Sequence, residues 1–258
     1  MKIAVCVKQV PDSETRINLA APAAKLDQTG FTRVLNPYDA YAVEEAVRIK
    51  EARGGEITAI TVGPETVKET LKKDCLAVGC DKAIIINDPA LAGADEAAIA
   101  EVLAAALKQG AYDLILFGIK AIDDDSGQIG ILVAEKLGLP HVATITKLEL
   151  GEGTLTAHRE IEGGKEIVDC PLPAVLTCQK GLNEPRLPSL PNIMKAGMKP
   201  MQVVTCADLG LTPPASLVEI RQYSPPPARG TCRLVTGDDA AAAARELARV
   251  LNEEAKVI

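Results

Sequence analysis

Short apolar runs alternate with helical patterns through the first half of the chain. The runs KIAVCVK (2–8), EITAITVG (56–63), KAIIIN (82–87) and DLILFG (113–118) contain few polar positions. Such runs are typical of strands that are buried on both faces of a parallel sheet. Helical spacing follows each run, over about 36–53, 66–78, 94–107 and 127–137. This alternation predicts an α/β fold with a doubly wound, mostly parallel sheet.

The ends of two predicted helices carry clear signals. Asn36 is expected to cap the first helix, Pro37 suits its first turn, and Gly54 is a natural stop. The third helix has Asp95 and Glu96 in its first turn, where the helix dipole favours acidic side chains. The stretch from about 10 to 35 is polar and is predicted to be irregular.

The second half of the chain has a different pattern. Three segments separated by glycine-rich turns, 141–150, 154–161 and 165–170, predict a β-hairpin or meander addition, and AVLTC (174–178) predicts a further strand. From residue 181 frequent prolines prevent long regular elements, apart from a last helix over 239–251. We therefore expect an α/β domain with the meander over 1–180, and an extended C-terminal arm over 181–258 that packs on another chain.

Composition narrows the class of protein. The chain is 47% hydrophobic but only 2% aromatic and has a net charge of −7, so nucleic acid is not an expected partner. Seven scattered cysteines lack metal-ligand spacing, which indicates buried thiols, no metal site and a reducing compartment, with the cytoplasm as the default. No apolar run reaches the roughly 18 residues of a membrane span, and the first residues do not resemble a signal peptide.

The loop GIKAIDDDSGQIG (118–130) joins the fourth strand to the next helix. Ligands in open parallel sheets bind beyond the carboxyl ends of the strands, and the first N–H groups of a helix attract phosphate. The acidic triplet 123–125 would repel phosphate, so we expect these side chains to cap the helix, face solvent, or accept from ribose or amide groups. The backbone N–H groups predicted to be free for a phosphate are those of Ser126, Gly127, Gln128 and Ile129.

No catalytic constellation is evident in the sequence. The chain has no GxGxxG fingerprint, no P-loop and no GxSxG elbow, and His141 and His158 lie in predicted strands of the meander. The residues alone therefore indicate a nucleotide-binding α/β domain with an arm, and enzyme activity is unproven.

Four segments resemble the β (small) subunit of electron transfer flavoproteins. The loop GIKAIDDDSGQIG is similar to the family's AMP-binding loop, and CVKQVPD (6–12) to its first strand and loop. NPYDAYAVEEAVRIKE (36–51) is similar to its first helix, and LNEPRLPSLPNIMKA (182–196) to its signature and recognition loop. The resemblance covers residues 1 to about 210.

The resemblance implies an adenine-nucleotide hydrolase-like fold and an electron-carrier subunit rather than an enzyme on its own. It implies FAD shared with a larger α subunit, on which the arm would pack, and AMP bound structurally in this chain. Electrons would come from acyl-CoA dehydrogenases of fatty acid β-oxidation or similar flavoenzymes and pass to a quinone oxidoreductase or another acceptor. By position, the implied nucleotide contacts are Cys6, Asn36, Pro37, Tyr38, Asp39, Val62, Gly118, Lys120, Ala121, Asp124, Ser126, Gly127, Gln128 and Ile129.

The same resemblance implies a docking site for the dehydrogenase. Leu190 corresponds to a protruding leucine that inserts into a pocket on that partner, and Lys195 and Lys199 would form a basic rim. From the residues alone, a buried leucine that packs the loop down and ordinary solvated lysines are equally compatible with the sequence.

The resemblance leaves two nucleotides open, because some family members bind a second FAD in place of AMP and split electron pairs between two acceptors. Asp124 follows the AMP-type loop, whereas Ser126, Gly127 and Ile129 resemble the bifurcating loop AIDGDTAQVG. We expect AMP and keep the second FAD as the alternative. An ATP-cleaving enzyme of related fold would need a Gly-Ser-rich loop after the first strand, which CVKQVPDSETR lacks. A stand-alone nucleotide sensor would need no partner to cover the arm.

Overall fold

The computed structural model describes residues 1–17, 19, 23 and 26–258, and it contains a nine-stranded sheet. The sheet order is β11-β5-β4-β1-β6-β10-β7-β8-β9, parallel from β11 to β7 and antiparallel from β7 to β9. This arrangement confirms the predicted doubly wound, mostly parallel sheet with a meander. The strands are β1 (Lys2–Cys6), β2 (Gln9–Pro11), β3 (Arg33–Leu35), β4 (Glu56–Val62), β5 (Lys82–Ile86), β6 (Leu114–Gly118), β7 (His141–Leu150), β8 (Thr154–Ile161), β9 (Gly164–Pro171), β10 (Ala174–Cys178) and β11 (Met201–Val204).

The predicted helices are present in the predicted order, but two of them change type along their length. The predicted helix over 66–78 is a short α-turn that continues as a π-helix over Leu71–Leu76, and the last helix also continues as a π-helix over Val250–Glu254. Three features were not predicted: α5, strand β11, and the small antiparallel ribbon of β2 and β3. The ribbon lies in a stretch predicted to be irregular, and residues 18, 20–22, 24 and 25 of that stretch lie outside the described residues. The α-helices are α1 (Pro37–Arg53), α2 (Val67–Thr70), α3 (Glu96–Gly110), α4 (Ile129–Leu137), α5 (Leu190–Ala196) and α6 (Ala240–Arg249).

Helix packing on both faces of the sheet explains why its inner strands β1, β4, β6 and β10 are largely apolar. Along β6, Leu114 and Leu116 point into the core that contains α1, whereas Ile115 and Phe117 point into the core that contains α3 and α4. A strand alternates its side chains between the two faces, so a strand covered on both must be apolar at every position. A continuous apolar run in the sequence therefore indicates a strand that lies between two cores.

The order of the strands creates a switch point in the sheet. The chain runs from β1 outward to β4 and β5, and then returns to the other side of β1 as β6. The connections after β1 and β6 therefore leave in opposite directions and open a crevice at the carboxyl ends of these strands. Ligands in open α/β sheets bind at such a point.

The boundary that composition suggests at residue 180 does not coincide with the division of the structure into compact units. Residues 1–17 and Asp27–Arg221 belong to the unit that contains the sheet, and Gln222–Ile258, together with residues 19, 23 and 26, belong to a second unit that contains α6. Strand β11 lies after residue 180 and extends the main sheet beside β5. That the C-terminal part packs on another chain stays a prediction.

Cysteine burial agrees with the sequence, since Cys6, Cys75 and Cys178 are buried, whereas Cys232 is exposed. Across the described residues, no helix has both the length and the apolar character needed to cross a membrane.

Candidate nucleotide site

A cavity of about 240 Å³ lies at the carboxyl ends of β1, β4 and β6, at the switch point of the sheet. It brings together residues from the start of α1, the face of α3 and the loop before α4. The sequence-predicted residues that line it are Cys6, Asn36, Asp39, Val62, Gly118, Lys120, Ala121, Asp124, Ser126, Gly127, Gln128 and Ile129. Pro37 and Tyr38 are not in the lining; Pro37 begins α1, and the Lys120 ammonium lies 5.9 Å from the centroid of the Tyr38 ring.

The buried carboxylate of Asp39 ties the ends of two strands to helix α1. It accepts hydrogen bonds from the backbone N–H of Lys8 at 2.6 Å, from the backbone N–H of Gly118 at 3.2 Å and from the Asn36 amide at 2.9 Å. Burial raises the pKa of Asp39 to about 7, although these three donors favour its charged form. Asp39 therefore fixes the spacing between β1 and β6 on one side of the cavity.

Asn36 does not cap α1, contrary to the prediction. It occupies the N-cap position, but its side chain makes no capping hydrogen bond. Its amide nitrogen donates to Asp39 and, at 2.8 Å, to the carbonyl of Lys120, and its amide oxygen accepts from the N–H of Ile122 at 3.2 Å. These bonds hold the loop after β6 against α1, and this tertiary use of the side chain explains the absence of a local cap.

Close packing at Gly118 excludes any side chain at that position. A Cβ there would lie 2.3 Å from Oδ1 of Asp39 and 2.7 Å from the carbonyl carbon of Tyr38. Gly127 differs, because a Cβ there would meet no atom closer than 3.4 Å, although its φ of +62° favours glycine. Gly118 is thus required by close packing within the protein, whereas Gly127 leaves space in front of α4.

Two lysine side chains balance two of the three negative charges of the acidic triplet, so the loop repels a phosphate less than its sequence suggests. Lys8 donates to Oδ1 of Asp123 at 2.8 Å and to Oδ2 of Asp124 at 2.7 Å, and Lys120 pairs with Asp125 at 3.0 Å. Burial lowers the pKa of Lys8, but the hydrogen bonds to both carboxylates outweigh it and leave the pKa above its usual value. Burial likewise raises the pKa of Asp124, but Lys8 and the Ser126 N–H outweigh it and leave the pKa below its usual value.

The start of α4 presents backbone N–H groups to the cavity. The N–H of Ser126 is not free as predicted, because it donates to Oδ1 of Asp124 at 2.9 Å. Among the hydrogen bonds of the described residues, none uses the N–H of Gly127, Gln128 or Ile129, and all three residues line the cavity. Free N–H groups at the positive end of a helix dipole form an anion site.

Sequence reasoning missed part of the lining. Ile99 and Leu103 of α3 form an apolar wall with Phe117, and Glu96 lies at the start of the same helix. Lys8 was also missed. The helical pattern predicted that α3 has an apolar face, but only the tertiary structure shows that part of this face borders a cavity.

The recognition segment (residues 182–196) lies apart from the cavity. Leu190 begins α5 and is 72% exposed, so it is not a buried leucine that packs the loop down. Lys195 is exposed, as the docking hypothesis requires. Lys199 is not available as part of a basic rim, because its ammonium donates to the carbonyls of Leu76 at 2.8 Å and Cys80 at 2.6 Å.

Comparisons with known proteins agree on one family. The family model described as "Electron transfer flavoprotein domain" matches residues 25–209. The chain is 41% identical to the electron transfer flavoprotein subunit beta of Bacillus subtilis, over 100% of both chains. It is 36% identical to the caffeyl-CoA reductase-Etf complex subunit CarD of Acetobacterium woodii, over 98% of this chain and 99% of the relative. It is 35% identical to the electron transfer flavoprotein subunit beta of Bos taurus, over 97% and 99%.

Proposed function

This chain belongs to the electron transfer flavoprotein β-subunit family, and from that premise we propose that it carries electrons as the β subunit of an αβ complex with AMP in its cavity. Membership in the family implies an α-subunit partner and a flavin in the complex. In this proposal the FAD is shared with the α subunit, and it supplies the chemistry of accepting and donating electrons. The chain itself acts as a carrier subunit rather than as an enzyme, and the cytoplasm is its expected location.

The strongest support for a bound nucleotide is the set of free N–H groups at the start of α4. Gly127, Gln128 and Ile129 can donate to a phosphate, and the space at Gly127 admits its close approach. With Lys8 and Lys120 paired to the triplet, one net negative charge remains among these five side chains, so the loop tolerates an anion. The residues therefore fit a phosphate group.

The remaining cavity surface fits the base of a nucleotide. Cys6, Val62, Ile99, Leu103 and Phe117 form an apolar surface that suits a flat base. The side chains of Asn36 and Asp39 are engaged within the protein, so we assign them the role of shaping the site rather than of binding the base directly.

The volume of the cavity favours a mononucleotide over a dinucleotide. At about 240 Å³ it lies below the roughly 300–1,000 Å³ that ligand pockets usually span. The charged carboxylate of Asp124 also opposes a second phosphate nearby. The alternative is a second FAD in this position, as in a bifurcating flavoprotein, and the open space in front of Gly127 favours it.

We further propose an acyl-CoA dehydrogenase or similar flavoenzyme as the electron donor and a quinone oxidoreductase or another acceptor as the destination, with a part in fatty acid β-oxidation. The exposed Leu190 supports docking, since a proline-stiffened apolar anchor loses little entropy on binding. The exposed apolar side chains of the second unit, among them Leu234, Leu247 and Ile258, support the proposal that this arm packs on the α subunit.

An ATP-cleaving enzyme of related fold has less support. Directly after β1 the chain forms β2, which pairs with β3, and the segment CVKQVPDSETR lacks the Gly-Ser-rich loop that such an enzyme would need.

The replacement Leu190→Ala tests the docking role in the purified αβ complex. Loss of the anchor should raise the KM for the complex in the dehydrogenase assay, while flavin content stays unchanged. Leu217→Ala is the matched control, because Leu217 is a similarly exposed leucine outside the recognition segment. An unchanged KM in Leu190→Ala, or an equal rise in both variants, would contradict the docking role.

A further inference from the structure

Arg186, near the start of the recognition segment, binds two glutamates of α1 through its guanidinium group. The Arg186 guanidinium donates to both oxygens of Glu44 at 2.8 and 2.9 Å and to both oxygens of Glu51 at 2.5 and 2.9 Å. The backbone N–H of Arg186 also donates to Glu44 at 3.2 Å. Bidentate pairs of this kind fix orientation as well as distance.

Burial of the Glu44 carboxylate on α1 removes it from water, which costs free energy unless a partner compensates its charge. The Glu44 side chain is only 4% exposed, and a buried carboxylate is expensive unless it is paired and hydrogen-bonded. Arg48 approaches the same carboxylate only at 3.5 Å and is 54% exposed. Arg186 is therefore the main partner of Glu44 among the described residues.

A second contact beside Arg186 directs the same stretch of chain. The Asn183 amide donates to Oε2 of Glu45 at 2.9 Å and to the carbonyl of Tyr41 at 3.0 Å, so two successive turns of α1 hold residues 183–186. Burial raises the pKa of Glu45, and the Asn183 hydrogen bond opposes this shift. Both polar contacts serve to position the chain that leads into the segment.

Between Arg186 and Ile193 the recognition segment borders a cavity instead of packing on the core. A hollow of about 490 Å³ lies under Leu187, Pro188, Ser189 and Asn192, between them and the end of α1. Packing resumes within α5, where Ile193 packs against the main core and Ala196 is buried in it, and it continues at Lys199. The exposed Leu187 and Leu190 thus lie between two anchors, Arg186 on the entry side and Ile193 within α5.

We propose that Arg186 is a positioning residue for partner docking: its two forks fix the direction in which the recognition segment leaves α1, so that a dehydrogenase meets Leu190 as a preformed anchor. Preorganisation of this kind removes an ordering cost from association and leaves electron transfer within the docked complex unchanged. This inference rests on the proposed docking role of Leu190.

The test uses the purified αβ complex with an acyl-CoA dehydrogenase that is kept reduced by its acyl-CoA substrate. Arg186→Lys keeps the charge beside Glu44 but loses both forks, and Arg186→Gln loses the charge as well. We expect both variants to raise the KM for the complex about three- to tenfold, with kcat and flavin content unchanged. Arg48→Gln is the control, because it removes the other arginine beside Glu44 without altering the segment's anchor, and its KM should stay at the wild-type value.

Double variants show whether Arg186 acts through Leu190. In a Leu190→Ala background, Arg186→Lys should raise the KM no further. An unchanged KM in Arg186→Lys, a KM that rises only in a variant with a lowered melting temperature, or a full additional rise in the Leu190→Ala background would each overturn the inference. If Leu190→Ala itself leaves the KM unchanged, the proposed docking role fails instead.

Discussion

Replacement of Lys8 by glutamine isolates the electrostatic part of the proposed nucleotide site. Lys8 is the shared partner of Asp123 and Asp124, at 2.8 and 2.7 Å. Lys8→Gln keeps a polar side chain of similar reach but removes one positive charge, so the loop gains one uncompensated negative charge. A phosphate at the start of α4 would then experience added repulsion.

Coulomb's law gives the size of this effect. Two unit charges about 8 Å apart interact by about 2 kcal/mol at an effective dielectric constant near 20. The side chain of Lys8 is 44% exposed, so solvent screening reduces the expected penalty to about 1–2 kcal/mol. That penalty corresponds to an increase of roughly 5- to 30-fold in the Kd for AMP.

Titration calorimetry of AMP into the nucleotide-free αβ complex measures this change. Lys147→Gln is the matched control, since Lys147 also pairs with a carboxylate, that of Glu149, but lies on β7 outside the cavity lining. The difference between the two variants should shrink at high salt, because salt screens charges. A change below twofold in Lys8→Gln, or an equal change in both variants, would refute the electrostatic reasoning.

Other replacements and conditions probe the geometry of the site and its stability. Gly118→Ala places a Cβ 2.3 Å from Asp39 and should release most of the nucleotide from the purified complex. In Gly127→Ala the new Cβ lies 3.4 Å from its nearest atom and the backbone cost is about 1–2 kcal/mol, so this variant should retain more nucleotide. Equal retention in the two variants would contradict this distinction. Burial raises the pKa of Asp39 to about 7 from its usual 3.8, so its contribution to stability is complete below about pH 3.8 and is lost as the pH rises through 7. Thermal unfolding of the complex between pH 5 and 8 should therefore show stability that falls by up to about 1.4 kcal/mol per pH unit below pH 7, and a slope that persists in Asp39→Asn would show that another group is responsible. Added AMP should raise the melting temperature in proportion to the logarithm of its concentration above the Kd, and no shift would indicate that AMP does not bind the folded state.

Local sequence patterns were sufficient to predict every strand of the main sheet except β11, and most of the helices. The inner parallel strands β1, β4, β6 and β10 are largely apolar and buried on both faces, and Pro37 and Gly54 mark the ends of α1. Strand β11 was missed because four residues between polar segments carry too little periodicity, and its pairing with β5 joins residues that are distant in the chain.

Details of the site depend on contacts that no local pattern encodes. Lys8 meets Asp123 across 115 positions of the chain, and Asn36 uses its side chain on the loop after β6 rather than on its own helix. The loop itself was predictable, because a strand, a glycine-containing turn and a helix start are adjacent in the sequence. The pairing of Lys8 with Asp123 and Asp124 was not predictable, because it depends on where β1 ends relative to β6.

The identity and amount of nucleotide released from the purified αβ complex test the central claim most directly. Denaturation followed by chromatography and flavin absorbance would quantify AMP and FAD per complex. The free N–H groups at α4, the small cavity and the charged Asp124 predict one AMP and one FAD. Two FAD molecules and no AMP would contradict this assignment and support the bifurcating alternative.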